Sequence, residues 1–245
     1  MPNILCVIPA RIGSTRLPRK PLADLGGKPM VQRTYEAACT CPAFAQVVVA
    51  TDDNEIADVI RSCGGTVVMT DPAIQTGTDR VAYVASLYPD MDVVVNLQGD
   101  EPFVKSSMLM ALVQPYLDGE KPGMTTLANP LDFKTQYHSP DVVKVIVDKH
   151  FNALYFSRAP IPFQRDIIID LPVYHHQGMY AFTREFLNIF TTLPQTPLEL
   201  SEKLEQLRVL EHGYPIRICI TPEKTLEINT PEELALAQAS YNQAP

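Results

Sequence analysis

The sequence has no long apolar run and no surplus of positive charge. The first apolar stretch covers about five residues and ends at Pro9 and Arg11, too short for a signal peptide or for a membrane span of about 18 residues. Lys and Arg number 20 against 28 Asp and Glu, so the net charge is −8. Because phosphate binding needs a cationic face, an acidic chain is a poor general nucleic-acid binder. We expect no membrane and no nucleic-acid partner.

Cysteine is also scarce. The chain has five cysteines, an odd number that is typical of reduced thiols, and this predicts a cytoplasmic location. Cys39 and Cys41 lack two further spaced ligands, which disfavours a zinc site. Hydrophobic residues make up 46 % of the chain, the ordinary proportion for a protein with a folded core.

Two common nucleotide-binding motifs, GxxxxGK[ST] and GxGxxG, are absent, which excludes the P-loop and dinucleotide fingerprints. The first hundred residues instead alternate short apolar runs with helical patterns. This order predicts an α/β fold with a parallel sheet and right-handed crossovers. The predicted strands are Ile4–Ile8, Val47–Ala50, Thr66–Met69 and Val93–Leu97, and the helices between them are Met30–Cys39, Glu55–Cys63 and Thr78–Leu87.

The pattern changes after Pro102, which predicts a second, β-containing part. Its predicted strands are Val142–Val147, Ala153–Ser157, Val173–Phe182 and Ile216–Ile220, and its helices are Ser107–Leu117, Glu185–Phe190 and Leu198–Leu210. Thr230, Pro231 and Glu233 form a capping box that opens a last helix. We predict one domain over 1–245, composed of a core (1–102), a second part (103–228) and a C-terminal helix that returns to the core (229–245).

A basic segment follows the first predicted strand. It places four cations, Gly13 and two hydroxyl residues within about ten positions. In open α/β sheets ligands bind beyond the carboxyl ends of the strands, and cations with free amides suit a triphosphate. A solvated basic loop is the alternative. The cations are Arg11, Arg16, Arg19 and Lys20, and the hydroxyls are Ser14 and Thr15.

An acidic segment, Asn96-Leu-Gln-Gly-Asp-Glu-Pro102, ends the fourth predicted strand. Asp100 there is placed to hold Mg²⁺ against phosphate oxygens. Gln98 offers a donor and an acceptor to a base edge or to sugar hydroxyls. The alternative is a turn aspartate that satisfies local amides.

These two segments resemble the 3-deoxy-manno-octulosonate (KDO) cytidylyltransferase family. Five further segments agree in the family's order and extend the resemblance to Glu233. They are Gln75-Thr-Gly-Thr-Asp-Arg80, Ala153-Leu-Tyr-Phe-Ser-Arg-Ala-Pro-Ile161, Gly178-Met-Tyr180, Leu204-Glu-Gln-Leu-Arg-Val-Leu210 and Asn229-Thr-Pro-Glu-Glu233. The resemblance implies a Rossmann-like nucleotidyltransferase fold with a mixed, mostly parallel sheet and a smaller β-containing subdomain, and also a homodimer.

The resemblance further implies that CTP and KDO react, with Mg²⁺, to give CMP-KDO and pyrophosphate for lipopolysaccharide synthesis. It assigns the catalytic role to Arg11, Lys20 and Asp100. The residues it implies for CTP are Ala10, Arg11, Ser14, Arg16, Lys20, Thr76, Thr78, Arg80 and Gln98. Those it implies for the acid sugar are Gln98, Arg158, Arg165, His176, Tyr180, Glu205 and Gln206.

One position departs from the family pattern. The family often has Asp before Thr-Pro-Glu as a second metal ligand, and this chain has Asn229. A neutral carbonyl oxygen still ligates Mg²⁺ but brings less charge, and Glu227 lies two positions earlier. Three rival functions stay open: a relative of the same fold that activates another acid sugar or attaches another nucleotide, a metal-dependent glycosyltransferase, and a non-catalytic nucleotide-binding relative.

Overall fold

The computed structural model describes residues 1–13, 17–166, 171–226, 228 and 230–242. The chain divides into two compact units. The first unit is Met1–Met110 together with Thr225–Pro245, and the second is Ala111–Lys224. Within the described residues, no helix combines the length and the apolar character that a membrane span requires.

The first unit contains four parallel strands in the order β3-β2-β1-β4. Every residue of β1 and β4 is buried, which explains why these strands could be predicted from apolar runs alone. The predicted strands and helices of this unit are confirmed within three residues at each end. The strands are β1 (Ile4–Ala10), β2 (Phe44–Thr51), β3 (Thr66–Met69) and β4 (Val93–Asn96), and the helices are α1 (Met30–Cys39), α2 (Asn54–Ser62) and α3 (Gly77–Ser86).

Side-chain caps define where the helices of this unit begin. Asp53 accepts hydrogen bonds from the backbone of Glu55 and Ile56 at the start of α2, and Thr76 caps α3. The predicted capping box is confirmed at the C-terminal helix α8 (Pro231–Asn242), where Thr230 and Glu233 bond each other's backbone N–H groups at 3.2 and 2.9 Å.

Because β1 and β4 are adjacent and parallel, the segments that follow them meet at one edge of the sheet. Val7 lies beside Asn96, so the chain leaves both strands at the same end. We call residues 17–29 the β1–α1 loop, and residues 97–105, which precede helix α4 (Ser106–Leu117), the β4–α4 loop. The topology therefore brings the predicted basic and acidic segments together.

The second unit is built on a mixed set of strands. In it β5 (Met124–Pro130) pairs antiparallel with β8 (Val173–Thr183) and parallel with β9 (Arg217–Ile220). Strand β6 (Lys144–Val147) pairs antiparallel with both β7 (Ala153–Ser157) and β8. The helices are α4 (Ser106–Leu117), which enters from the first unit, α5 (Arg184–Thr192), α6 (Pro197–Glu202) and α7 (Leu207–Glu211).

The prediction of one helix over Leu198–Leu210 is wrong, because the structure has α6 and α7 there. Lys203 takes a left-handed conformation (φ 55°), and the carbonyl of Glu202 accepts a hydrogen bond from Arg158 Nε at 3.0 Å instead of continuing a helix. This contact spans 44 residues, so no local pattern announces the break.

Strand β5 was not among the predicted strands. Its sequence, Met-Thr-Thr-Leu-Ala-Asn-Pro, is polar for a buried strand. The hydroxyl of Thr125 donates to the Leu112 carbonyl at 2.8 Å, and that of Thr126 bonds the backbone of β8. Because these bonds satisfy the hydroxyls, the polar residues are tolerated inside the unit.

Candidate active site

A cavity of about 210 Å³ opens at the carboxyl end of β1 and β4 in the first unit. Gly99 permits a close approach of the two segments, since a Cβ there would lie 3.1 Å from the Pro9 carbonyl oxygen. The wall brings together five of the predicted site residues, namely Ala10, Arg11, Lys20, Gln98 and Asp100, and is completed by Pro9, Pro21, Gly77 and Gly99.

An ion pair joins the two segments at this wall. Lys20 Nζ contacts Asp100 Oδ2, and the two side chains are only 12 and 28 % exposed. Lys20 begins a 3-10 turn, Lys20–Leu22, that follows Arg19 in a left-handed conformation. The pair therefore places a cation and a carboxylate, both largely buried, beside a cavity that a ligand can enter.

Arg11 brings a second cation to the cavity. Its Nη2 donates to the carbonyl oxygen of Ile74, which ties the end of β1 to the segment before α3. Burial, and then the nearby charge of Arg80, lower the pKa of Arg11 from its ordinary value. An arginine keeps its proton throughout the physiological range, so Arg11 remains a cation aimed at the cavity.

Gln98 is oriented by a residue that the sequence analysis did not identify. Its Nε2 donates to Asn96 Oδ1 at 2.9 Å, and its Oε1 lies next to Gly77, where a Cβ would be 3.9 Å away. Asn96 is buried and also contacts the hydroxyl of Thr78 at 3.5 Å. The sequence feature that indicates this role is an asparagine within the apolar run Val93–Leu97, because a buried amide needs hydrogen-bond partners.

Thr76, Thr78 and Arg80 do not belong to the described part of the cavity wall. Thr76 caps α3 and Thr78 is buried. Arg80 is fully buried, with Nη2 3.1 Å from Asp52 Oδ2 and Nη1 bonded to the hydroxyl of Thr70. Its charge is thus neutralised within the fold, and the direct cytidine contact implied for these three residues stays a prediction.

Arg158 is held rigidly in the second unit. Its Nε donates to the Glu202 carbonyl at 3.0 Å and its Nη1 donates to the Pro140 carbonyl at 3.1 Å. The carboxylate of Glu202 bonds the backbone N–H of Arg158 and the hydroxyl of Ser157. The guanidinium is therefore oriented by neutral carbonyls and keeps its charge available to an anion.

Lys144 is a second residue that the sequence analysis missed. It is fully buried, and its ammonium group donates to three carbonyl oxygens, those of Ser139, Val142 and Arg158. Burial lowers the pKa of Lys144. The three bonds hold the backbone of Arg158 against the segment before β6. The one sequence signal for them is a lysine inside the apolar run Val142–Val147.

The other sugar residues of the second unit form a buried cluster. His176 Nε2 lies 2.9 Å from Thr126 Oγ1, and the Thr126 hydroxyl donates to the Met179 carbonyl at 2.7 Å. Nε2 is therefore the donor in the bond to Thr126, and burial lowers the pKa of His176 to about 3, so the imidazole is neutral near pH 7. Tyr180 OH donates to Gln206 Oε1 at 3.2 Å.

The remaining predicted residues differ in their surroundings. Glu205 Oε1 lies 3.9 Å from Arg208 Nη2, and Arg208 pairs with the buried Glu199 at 2.5 Å. Gln206 is 2 % exposed, and within the described part of the chain its Nε2 has no partner. Arg165 is exposed in the segment after β7. Ser14, Arg16 and Asn229 lie outside the described residues.

Comparisons with known proteins identify the family to which this chain belongs. A family model described as Cytidylyltransferase matches residues 5–224. A 3-deoxy-manno-octulosonate cytidylyltransferase of Acaryochloris marina (strain MBIC 11017) is 55 % identical over 241 residues, which cover 98 % of each chain. An 8-amino-3,8-dideoxy-manno-octulosonate cytidylyltransferase of Shewanella sediminis (strain HAW-EB3) is 45 % identical and covers 97 % of this chain and 98 % of its own.

A solved structure is similar over nearly the whole fold. It is a CMP:2-keto-3-deoxy-manno-octonic acid synthetase complexed with CTP, 37 % identical, with a TM-score of 0.92 over 98 % of this chain and 99 % of that one. The chain therefore belongs to the cytidylyltransferase family. Within that family its resemblance to the KDO cytidylyltransferases is confirmed, as is the α/β nucleotidyltransferase fold.

Proposed function

We propose that the protein transfers CMP from CTP to KDO and releases pyrophosphate, which activates KDO for lipopolysaccharide synthesis. The observation that carries this proposal is the Lys20–Asp100 pair beside Arg11 on the wall of the cavity. Cations and a carboxylate on one wall suit a triphosphate with its divalent ion. The likeness to a CTP-bound synthetase at a TM-score of 0.92 supports the same assignment.

On the CTP side, the roles divide between charge and shape. Arg11 and Lys20, with Ser14 and Arg16, bind the triphosphate and neutralise the charge that develops on pyrophosphate as it leaves. Gln98 offers its oxygen to the cavity because Asn96 holds its amide nitrogen. Arg80 positions the wall by bonding both Asp52 and Thr70.

Mg²⁺ is proposed as the cofactor, and the donor set fits it. Mg²⁺ prefers oxygen ligands and is commonly held by one or two carboxylates together with substrate phosphates. Asp100 supplies one carboxylate on the cavity wall, and Asn229 is the second candidate ligand. When bound, the ion neutralises phosphate charge and acidifies the attacking hydroxyl.

On the sugar side, Arg158 is proposed to bind the KDO carboxylate. That carboxylate is attached to the carbon that bears the attacking hydroxyl, so it must approach a negatively charged phosphate. A guanidinium fixed by two carbonyls offsets this repulsion without losing conformational freedom on binding. Arg165, His176, Tyr180, Glu205 and Gln206 are proposed to contact the carboxylate or the hydroxyls of the sugar.

The chemical step follows from these roles. The anomeric hydroxyl oxygen of KDO forms a bond to the α-phosphorus of CTP, and the bond from that phosphorus to pyrophosphate breaks in line. The hydroxyl proton passes to solvent. The side chains of this protein position the two substrates and stabilise charge, which is how most of the barrier to such transfers is lowered.

The 8-amino sugar is the second candidate acceptor, because relatives at 45 % identity act on it by name. An ammonium group at carbon 8 would need a carboxylate, and Glu205, whose side chain is partly exposed, is the carboxylate among the predicted sugar-binding residues. A homodimer and a cytoplasmic location are proposed as well. The five unbridged cysteines support the location, and light scattering in solution tests the dimer.

The test is the release of pyrophosphate from CTP with Mg²⁺ and either KDO or 8-amino-3,8-dideoxy-KDO as the acceptor. We expect release with KDO and CTP, and less with ATP, GTP or UTP. Release with the 8-amino sugar alone would reassign the acceptor. Absence of release with every pair would refute nucleotidyl transfer to either sugar.

A further inference from the structure

The C-terminal helix α8 packs against the two loops that carry Lys20 and Asp100. A small apolar cluster joins residues of the β1–α1 loop, the start of α1, the β4–α4 loop, and α8 with the segment before it. Its buried members are Leu17, Leu25, Met30, Ile228 and Ala237, and Ala23, Phe103, Leu234 and Tyr241 pack against them. The helix is thus placed to set how the two loops meet.

Tyr241 on α8 contacts the β4–α4 loop with its ring and its hydroxyl. The ring stacks on Phe103 with a centroid distance of 5.0 Å and an interplanar angle of 26°. The hydroxyl donates to the carbonyl oxygen of Pro102 at 3.0 Å. Pro102 follows Asp100 by two residues, so these contacts fix the backbone directly after the proposed metal ligand.

The same side chain reaches the β1–α1 loop through Arg33. The guanidinium carbon lies 4.5 Å from the centroid of the Tyr241 ring, and Arg33 donates to the carbonyls of Leu25 and Gly26 at 2.9 and 2.6 Å. Gly26 has a φ of 62°, and a Cβ at this position would lie 2.9 Å from Tyr241 Cβ. The ring therefore packs directly on this loop.

We propose that Tyr241 is a positioning residue that fixes the two loops relative to each other, so that Lys20 and Asp100 meet in the geometry that binds CTP. The inference rests on the proposed function of this cavity. Binding and transfer depend on placement to within about 0.5 Å, and loops hold such placement only when rigid side chains support them. Tyr241 has few rotatable bonds and touches both sides.

The test compares Tyr241→Phe and Tyr241→Ala with a control, Leu236→Ala, on the same helix at a side chain that is 63 % exposed. The dissociation constant for CTP with Mg²⁺ is measured by calorimetry, and kcat and the two KM values by pyrophosphate release. We expect Tyr241→Phe to weaken CTP binding about 2- to 10-fold, the effect of one hydrogen bond. Tyr241→Ala should weaken it more than tenfold.

The KM for KDO should stay within twofold in both variants, and the control should match the wild type. CTP binding within twofold of the wild type, with only the melting temperature lowered, would overturn the proposal. An equal rise in both KM values would overturn it too. If Tyr241→Ala does not fold, Tyr241→Phe decides, since it keeps the ring. A wild-type protein that binds no nucleotide would overturn the proposed function as well.

Discussion

The proposed reaction depends more on the negative charge of Asp100 than on the charge of any other single residue of the proposed site. Replacing it with Asn keeps the shape of the side chain and removes the carboxylate that pairs with Lys20. We expect Asp100→Asn to lower the rate of pyrophosphate release at least about a hundredfold, the order of magnitude for loss of a key electrostatic group. The matched control is Asp58→Asn on the surface of α2. A fully active Asp100→Asn would place the metal elsewhere.

The proposed role of Arg158 in binding the KDO carboxylate depends on the orientation of its guanidinium group as well as on its charge. Lysine in its place keeps the charge but loses the bonds to Glu202 and Pro140 that fix the orientation of the guanidinium. We expect Arg158→Lys to weaken KDO binding by about 1.5–3 kcal/mol, the range for hydrogen bonds to charged groups. CTP binding should barely change. Separate titrations of the two ligands test this, with Arg61→Lys as the exposed control, and unchanged KDO affinity would remove Arg158 from the site.

Lys144 is a residue whose removal should affect stability. Lys144→Met keeps the length of the side chain but leaves three carbonyl oxygens without their donor. We expect the free energy of unfolding to fall by about 2–4 kcal/mol, because buried acceptors lose a charged partner. Urea unfolding measures the change. A loss below about 0.5 kcal/mol would mean that water replaces the ammonium group.

At the scale of elements, prediction succeeded where local pattern and burial agree. Strand β1 and helix α1 were predictable because one is wholly apolar and the other amphipathic. That several of the chosen residues would lie together on one cavity was predictable for a related reason, since the basic and acidic segments are short and contiguous. Lys144, Asn96 and the break at Lys203 were not, because their roles depend on partners that the chain brings together only when it folds.

The break between α6 and α7 gives a prediction of its own. The left-handed backbone of Lys203 costs conformational energy, because its Cβ is crowded there, and a glycine at this position would not have this cost. We expect Lys203→Gly to raise the free energy of unfolding by about 0.5–1 kcal/mol, since the relief exceeds the added freedom of the unfolded chain. Lys203→Ala should give no such gain. Thermal unfolding of both variants decides, and equal midpoints would refute the strain argument.

Taken as a whole, the molecule carries eight excess negative charges and yet is proposed to bind two anionic substrates. The cations that would offset the repulsion between protein and substrates are concentrated in short segments of the chain rather than spread over one face of the protein. That is why composition alone disfavours general nucleic-acid binding but does not point to a nucleotide site. Only the local order of cations, glycine and hydroxyl residues along the chain points to a nucleotide site.

The stability of the whole molecule should fall in acid because of His176. The pKa of this buried imidazole is lowered to about 3, first by burial and then by the charge of His175, while in the unfolded chain it returns to an ordinary value near 6.5. Between these two values the unfolded state binds more protons. The free energy of unfolding therefore declines as the pH falls below about 6.5, by about 1.4 kcal/mol per pH unit from this group, and stops declining near pH 3.

Carboxylates titrate over part of the same range, so the test is a difference between two proteins. His176→Gln retains a donor for Thr126 and removes the titration. We expect the variant to be less stable than the wild type at pH 7, because it packs less well against Phe156. As the pH falls from 6.5 to 4.5, the difference in stability between the two proteins should narrow or reverse, since only the wild type must keep the imidazole of His176 unprotonated. Urea unfolding at several pH values measures both curves, and parallel curves would show that His176 takes up its proton as readily in the folded state as in the unfolded chain.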